Sequence, residues 1–292
     1  MKYAWIKDHR DTYSTRMMCQ VLQVSRSGFY RWRSAETSPR AQRSQRIRQD
    51  VQRVHESSDG IYGSYKIAEM LQQDDDLETA CRTTVAKAMQ DLGLKSKVSK
   101  RFKPKTTVVD PKRQAAENVL AQDFQADAPN RKWVTDITYL WTDSGWIYVA
   151  AVMDLFSRRI VGWSVSDSLA TPLVCAALRQ AIESRRPDCK ELLHHSDRGS
   201  QYTSEVYQKT LQTLGITCSM SNTGCCYDNA AMERFFWSLK HEWTNHRSYA
   251  NLEEARMSIF RYIETFYNTI RIHQTLDYLS PQQFEAQHEL AL

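Results

Sequence analysis

Apolar positions in the first third of the chain recur at helical spacing. Met18, Val21 and Leu22 fall at i, i+3 and i+4, with Ser14 ahead of them as a cap. After a break at Gln23-Val24, Ser25 caps a second helix that turns Phe29 and Trp32 inward and leaves Arg26, Tyr30 and Arg31 facing out. Two short helices, a tight turn and a basic second helix predict a helix-turn-helix; an ordinary helical hairpin is the alternative. Residues 34–59 are polar and Arg-rich, yet Ile47, Val51 and Val54 at i, i+4 and i+7 predict an amphipathic helix among them. The pattern then recurs. Ser64 opens a helix with Ile67, Met70 and Leu71 inward, and Thr84 opens another with Val85, Met89 and Leu92 inward, closed by Gly93. This is a second candidate helix-turn-helix.

From Arg131 the period changes from helical to alternating. Trp133–Trp141 is rich in β-formers, Ser144-Gly145 is a turn, Trp146–Asp154 alternates through Ile147, Val149, Ala151 and Met153, and Ile160–Val165 is a third run. These predict an antiparallel meander. A helix over Pro172–Arg185, a short buried strand over Leu192–His195, a helix over Ser204–Leu214, a strand over Ile216–Met220 and a long helix over Asn229–Asn245 follow. The order βββ-α-β-α-β-α predicts an α/β domain with a mixed five-stranded sheet, the order of the ribonuclease H-like fold, behind small all-α modules. The expected organisation is 1–58 (helical segment and connector), 59–105 (second helix-turn-helix), 106–125 (linker), 126–250 (ribonuclease H-like core) and 251–292 (helical extension).

Charge sharpens this division. The 292 residues carry a net charge of +5, but residues 1–110 hold 21 Lys and Arg against 13 Asp and Glu, and the remainder 18 against 21. A basic front on a near-neutral back points to a polyanion held by the first part, or to a solvated basic surface. Half of Leu94–Lys105 is basic: Lys95, Lys97, Lys100, Arg101 and Lys103 read as phosphate contacts on an arm, along with Arg26, Tyr30 and Arg31. The seven cysteines are irregularly spaced without a Cys-x-x-Cys pair, which predicts reduced thiols rather than disulfides or a zinc site. No stretch approaches the ~18 apolar residues of a membrane span. The first ten residues lack a signal-peptide core, so a cytoplasmic protein without membrane contact is expected.

Three acids stand out by position. Asp136 interrupts a β-branched, aromatic strand, where a carboxylate is a poor strand former and unfavourable if buried unpaired. Asp197 ends the fourth strand, and strand ends in α/β sheets are where ligands sit. Glu233 lies on the last helix beside an apolar stripe of Met232, Phe236, Leu239 and Trp243, on a face shared with Trp237 and Lys240. Carboxylates converging from two strands and a helix repel one another, and a divalent cation resolves the repulsion. Oxygen-only ligands suit Mg²⁺ or Mn²⁺, and two such ions about 4 Å apart can drive phosphoryl transfer. Each acid taken singly reads as readily as a salt-bridged or capping residue.

The words around these acids resemble a known family. They are Asn130-x-x-Trp133-x-x-Asp136-Ile137-Thr138, His195-Ser196-Asp197-Arg198-Gly199-x-Gln201-Tyr202, and Tyr227-Asp228-Asn229-Ala230 ahead of Glu233. Asp197 and Glu233 are 36 positions apart (233 − 197), leaving 35 residues between them, and Lys240 follows Glu233 by seven. The tail reads Tyr267-Asn268-x-x-Arg271-x-His273-x-x-Leu276-x-Tyr278-x-x-Pro281-x-x-Phe284. On these motifs the chain resembles the Asp-Asp-Glu transposases and retroviral-type integrases, and more closely the second-frame (OrfB) products of the insertion-sequence-three family. One departure is Gly224-Cys225-Cys226-Tyr227, where relatives often have Asn after the Gly.

The resemblance implies a bacterial transposase that binds terminal inverted repeats and cleaves and transfers DNA strands. Asp136, Asp197 and Glu233 would hold two Mg²⁺ (or Mn²⁺) ions. A water and then a DNA 3′-hydroxyl would attack in line, giving a circular intermediate that later integrates. Lys240 would contact DNA near the reacting end, and His195 and Arg198 would orient a metal ligand or a phosphate. His273 and Arg271 read as structural or DNA-facing. The implied partners are double-stranded DNA (transposon ends and target), further copies in a synaptic complex, and the first-frame (OrfA) product, separate or fused by frameshifting. Two rivals stand beside this reading: a DNA-binding regulator derived from an inactive transposase, and a ribonuclease H-type nuclease acting on RNA–DNA hybrids.

Overall fold

The computed structural model describes all residues except 35–38, 75–76, 78–79, 98–115, 223–225 and 292. Helices α1 (Lys2–Asp8), α2 (Thr15–Val21) and α3 (Arg26–Ser34) close on a small core of Ile6, Met18, Cys19 and Phe29. Ser25 caps α3 by accepting from the Gly28 N–H at 3.2 Å. Two inward assignments change: Val21 is 75% exposed and Trp32 42% exposed. Cys19 takes Val21's place in the core, and Trp32 lies at the rim against Tyr3 and Phe29. Helices this short bury only one or two side chains each, so period alone leaves the buried face ambiguous by one position.

Helices α4 (Pro39–Ser57), α5 (Ser64–Gln72) and α6 (Arg82–Asp91) form the second helical unit. Ile47, Val51 and Val54 of α4, placed with the connector in sequence, pack against Ile67 and Leu71 of α5 and Val85 and Met89 of α6. Leu92 stays exposed, and Gly93 turns the chain with φ +68°.

The sheet is built from β1 (Lys132–Thr142), β2 (Gly145–Asp154), β3 (Ile160–Ser166), β4 (Leu193–Ser196) and β5 (Thr217–Met220) in the order β3-β2-β1-β4-β5. β1, β2 and β3 pair antiparallel; β1–β4 and β4–β5 pair parallel. It is the mixed five-stranded sheet expected of a ribonuclease H-like fold. One face is covered by α7 (Thr171–Arg185) and α8 (Glu205–Leu214), around Trp133, Ala150 and Val152. Gly162 of β3 lets α7 approach so closely that a Cβ there would lie 2.3 Å from the Ala177 carbonyl oxygen. The other face meets α9 (Ala230–Ser238), α10 (Leu252–Phe260) and the tail, which ends in α11 (Pro281–Ala291).

The second helical unit shares that last core. Tyr62, buried in the turn between α4 and α5, donates its hydroxyl to the Ile270 carbonyl at 3.1 Å and accepts from the Ile272 N–H at 2.9 Å. Arg247 and Lys97 both reach Asp59, at 2.6 and 3.1 Å. Ahead of the sheet, residues 117–120 run beside β5: Met220 N–H donates to the Glu117 carbonyl, and the Val119 and Leu120 N–H groups to Ser219 Oγ. Among the described residues no helix is long and apolar enough to cross a membrane. Cys19, Cys81, Cys175, Cys189 and Cys218 are free thiols.

Candidate active site

Parallel pairing of β1 with β4 puts Trp133 opposite His194 and Val134 opposite His195. Two residues further along each chain lie Asp136 and Asp197, and equal steps on parallel strands keep them abreast. β4 has ended at Ser196, so Asp197 stands at its carboxyl end. On its other side Asp136 faces Ala151 of β2, whose methyl leaves room above the strand. Side chains alternate along a strand, so Asp136 shares its face with Val134, and Val134 packs in the same cluster as Met232, Phe235 and Phe236 of α9. The helix carrying Glu233 therefore lies over the strand carrying Asp136. Its stripe of Met232, Phe236, Leu239 and Trp243 is buried, while Glu233 stays exposed at the edge.

The electrostatics agree with this placement. Asp136 is half-buried and accepts from the Ile137 N–H at 2.8 Å. Burial first, then the charge of Asp197 and, more weakly, of Glu233, hold its carboxyl well above the usual range, and Lys240 pulls the other way. Burial also raises Asp197, against the Gly199 N–H donated to it at 2.9 Å, and it raises Glu233. Lys240 lies 4.6 Å from the Tyr139 ring centre; burial lowers its pKa and Asp136 opposes that shift. Among the described residues no three His, Cys, Asp or Glu side chains are drawn closely enough together to ligate one ion. Asp136 senses Asp197 and Glu233 at longer range than ligation. The donor set nevertheless fits a hard divalent cation: all oxygen, like-charged and raised in pKa by burial, with the charges of Asp197 and Glu233 adding to the rise at Asp136.

The helix is set over the strand by the residues just before it. Asn229 donates to the Thr135 carbonyl at 3.1 Å. Asp228, buried, accepts from Asn118, Gln122 and the Asn222 N–H at 2.8–2.9 Å. Sequence reasoning quoted Asp228 only as part of a motif; an acid directly before a helix that bears another acid was the available signal. After Ser238 the helix widens into a π-turn over Leu239–Trp243, which carries Lys240.

The other expected contacts separate. His195 is fully buried, with Nδ1 2.8 Å from Ser219 Oγ and Nε2 3.1 Å from Ser221 Oγ. Burial lowers its pKa to about 4, so it is a neutral tie from β4 to Ser219 of β5 and to Ser221 just beyond it. Arg198 donates to the Ser221 carbonyl at 2.6 Å. Arg26, Tyr30 and Arg31 are exposed on α3 and Lys95 is exposed after α6, whereas Lys97 is engaged by Asp59. Lys100, Arg101 and Lys103 lie outside the described residues. Arg271 is buried in an ion pair with Glu242 at 2.6 Å, beside His273.

Residues 126–226 and 214–281 match two family models, each described as Integrase core domain, and residues 42–102 match an HTH-like domain. Transposase InsF for insertion sequence IS3A of Escherichia coli (strain K12) is 40% identical over 287 residues, 98% of either chain. The Insertion element IS600 uncharacterized 31 kDa protein of Shigella sonnei is 38% identical over 275 residues, covering 94% of this chain and all of that one. Among solved structures, the HTLV-2 integrase catalytic core domain in complex with magnesium (trimeric form) superposes with a TM-score of 0.43 at 16% identity, over 55% of this chain and 98% of that chain.

Proposed function

Since the chain belongs to the insertion-sequence IS3 family of transposases, we propose that Asp136, Asp197 and Glu233 are the catalytic carboxylates of its DNA strand cleavage and joining and hold divalent magnesium or manganese. The observation that carries this reading is the register that sets Asp136 beside Asp197 under the helix bearing Glu233, with the charges of Asp197 and Glu233 both raising Asp136. Bound there, a pair of such ions would offset the carboxylate repulsion, activate the attacking oxygen and stabilise the leaving one.

The chain's own groups do the rest. Asp136 and Asp197 present oxygens from adjacent strands, which fixes their spacing by backbone pairing rather than by side-chain freedom. Glu233, on the exposed helix edge, completes the set when DNA and ions are seated. Lys240 places a cation beside Asp136, where a phosphate of the reacting end would lie. Two in-line displacements follow. Water attacks the phosphorus and the 3′-oxygen departs with the proton; that 3′-hydroxyl then attacks the phosphodiester it joins, whose own P–O3′ bond breaks as the departing 3′-oxygen takes up the proton. The exposed Arg26, Tyr30, Arg31 and Lys95 face the terminal repeats, and two or more copies, with or without the first-frame product, bring two ends together.

The test is a labelled duplex carrying the element's terminal repeat, incubated with the protein and Mn²⁺ or Mg²⁺, with Glu233→Gln alongside. Metal-dependent nicking and joined products lost in Glu233→Gln are expected. Equal products from both proteins would remove Glu233 from the site. DNA binding without any product, from the chain alone and from its fusion with the first frame, would favour the regulator instead.

A further inference from the structure

A cavity of about 470 Å³, lined by none of the three acids, opens where the second helical unit, the sheet and the tail meet. Lys66 of α5, Arg158 from the β2–β3 turn, Arg234 of α9, and Arg271 and His273 of the tail all line it. Phe124, Phe235 and Tyr267 supply an apolar wall.

Charge balance makes this cavity unusual. The carboxylate whose field reaches Lys66 and Arg271 is Glu242, and it is already engaged: Arg271 donates to both its oxygens at 2.6–2.7 Å and the Tyr262 hydroxyl donates at 2.8 Å. Lys66 Nζ is buried with no hydrogen-bond partner; it lies 4.9 Å from the centre of the Tyr62 ring. Arg158 has only the Phe124 carbonyl, at 3.3 Å, and Arg234 lies over the Trp237 ring. The four cations line one volume, and after burial their charges add to depress His273. A buried ammonium without a partner is unfavourable unless an anion meets it. Of the lining residues, Arg158 also holds a left-handed backbone conformation, with φ +60°.

We propose that this cavity binds a nucleotide unit, its phosphate held by Lys66, Arg158, Arg234 and Arg271 and its sugar or base against the apolar wall. The volume exceeds a bare phosphate and lies in the range of small-ligand pockets. One chemistry has two sources: a phosphate within a bound DNA strand, or a free nucleotide. The site is independent of the three carboxylates, so a Glu233→Gln protein retains it whatever cleavage assays show.

The full chain is titrated calorimetrically with deoxyadenosine monophosphate, and its DNA affinity is measured against salt, for the wild type, Lys66→Met and Arg158→Gln. Lys66→Met keeps the apolar stem and removes an uncompensated buried charge, so it should melt no lower than the wild type, which controls for folding. Each variant should weaken monophosphate binding by roughly tenfold or more, as expected when a desolvated charge partner is lost. If the source is a DNA strand, each variant also lowers the salt slope of DNA binding by about one. Lost monophosphate binding with an unchanged slope identifies a free nucleotide. Equal monophosphate affinity in all three proteins overturns the proposal, as does a wild type that binds none while the slopes agree.

Discussion

Tyr62→Phe isolates the bond between the second helical unit and the tail. The ring stays, so buried apolar area is conserved and only the hydroxyl is lost. That hydroxyl donates to the Ile270 carbonyl and accepts from the Ile272 N–H. The two groups differ in what they lose. Ile270 is 45% exposed, so water can reach its carbonyl, at a cost of about 0–1 kcal/mol. Ile272 is 2% exposed, and an N–H orphaned there costs about 1–3 kcal/mol. The sum, roughly 1–4 kcal/mol, should appear as a lower urea midpoint at unchanged slope if the whole chain unfolds as one unit. If the helical unit detaches first, an early transition appears instead, seen by fluorescence near Tyr62 and not by the sheet. A variant within about 0.5 kcal/mol of the wild type, with a single transition, would refute the idea that this hydroxyl joins the two parts.

Two further perturbations test the sheet. Asp136 has a folded pKa raised above the unfolded value, so its contribution to stability is full below about pH 4 and is lost as pH rises through the folded pKa. Without metal, Asp136→Asn should therefore melt higher than the wild type at neutral pH, with the difference closing in acid, while strand cleavage disappears; an identical melt at pH 7 would count against the burial and repulsion assigned to it. Gly162→Ala would force a methyl to 2.3–2.7 Å from the α7 backbone and Ala181, so thermal unfolding should show a loss of about 1–3 kcal/mol or more, and an unchanged melt would mean that α7 shifts freely.

The meander and the two later strands were legible because each follows from local patterning, and so were the positions of Asp136 inside a strand, Asp197 at a strand end and Glu233 on a helix. Parallel register then aligned Asp136 with Asp197 without further information. What the sequence left open is which surfaces meet. Ile47, Val51 and Val54 announce a buried face, yet nothing in their spacing names α5 and α6, or the tail, as its partners. His195 beside Asp197 reads in sequence as a group that orients a metal ligand or a phosphate; its confinement depends on Ser219 and Ser221, which a different strand and the residue after it bring in. Lys66 and Arg158 were invisible as a pair because they are distant in sequence and meet only through the tail. Val21 and Trp32 were misplaced because two-turn helices offer too few apolar positions to fix a face.

The strip at residues 117–122 has a consequence for where this protein can be divided. It lies alongside β5, an outer strand of the sheet, and through Asn118 and Gln122 it holds the aspartate that introduces the helix of Glu233. A fragment begun at 126, where the family match starts, would lose both services together. Its sheet would present an uncovered strand able to pair with another molecule, and its third carboxylate would hang from a loosened hinge. What looks in sequence like a tether between modules is a working margin of the catalytic half.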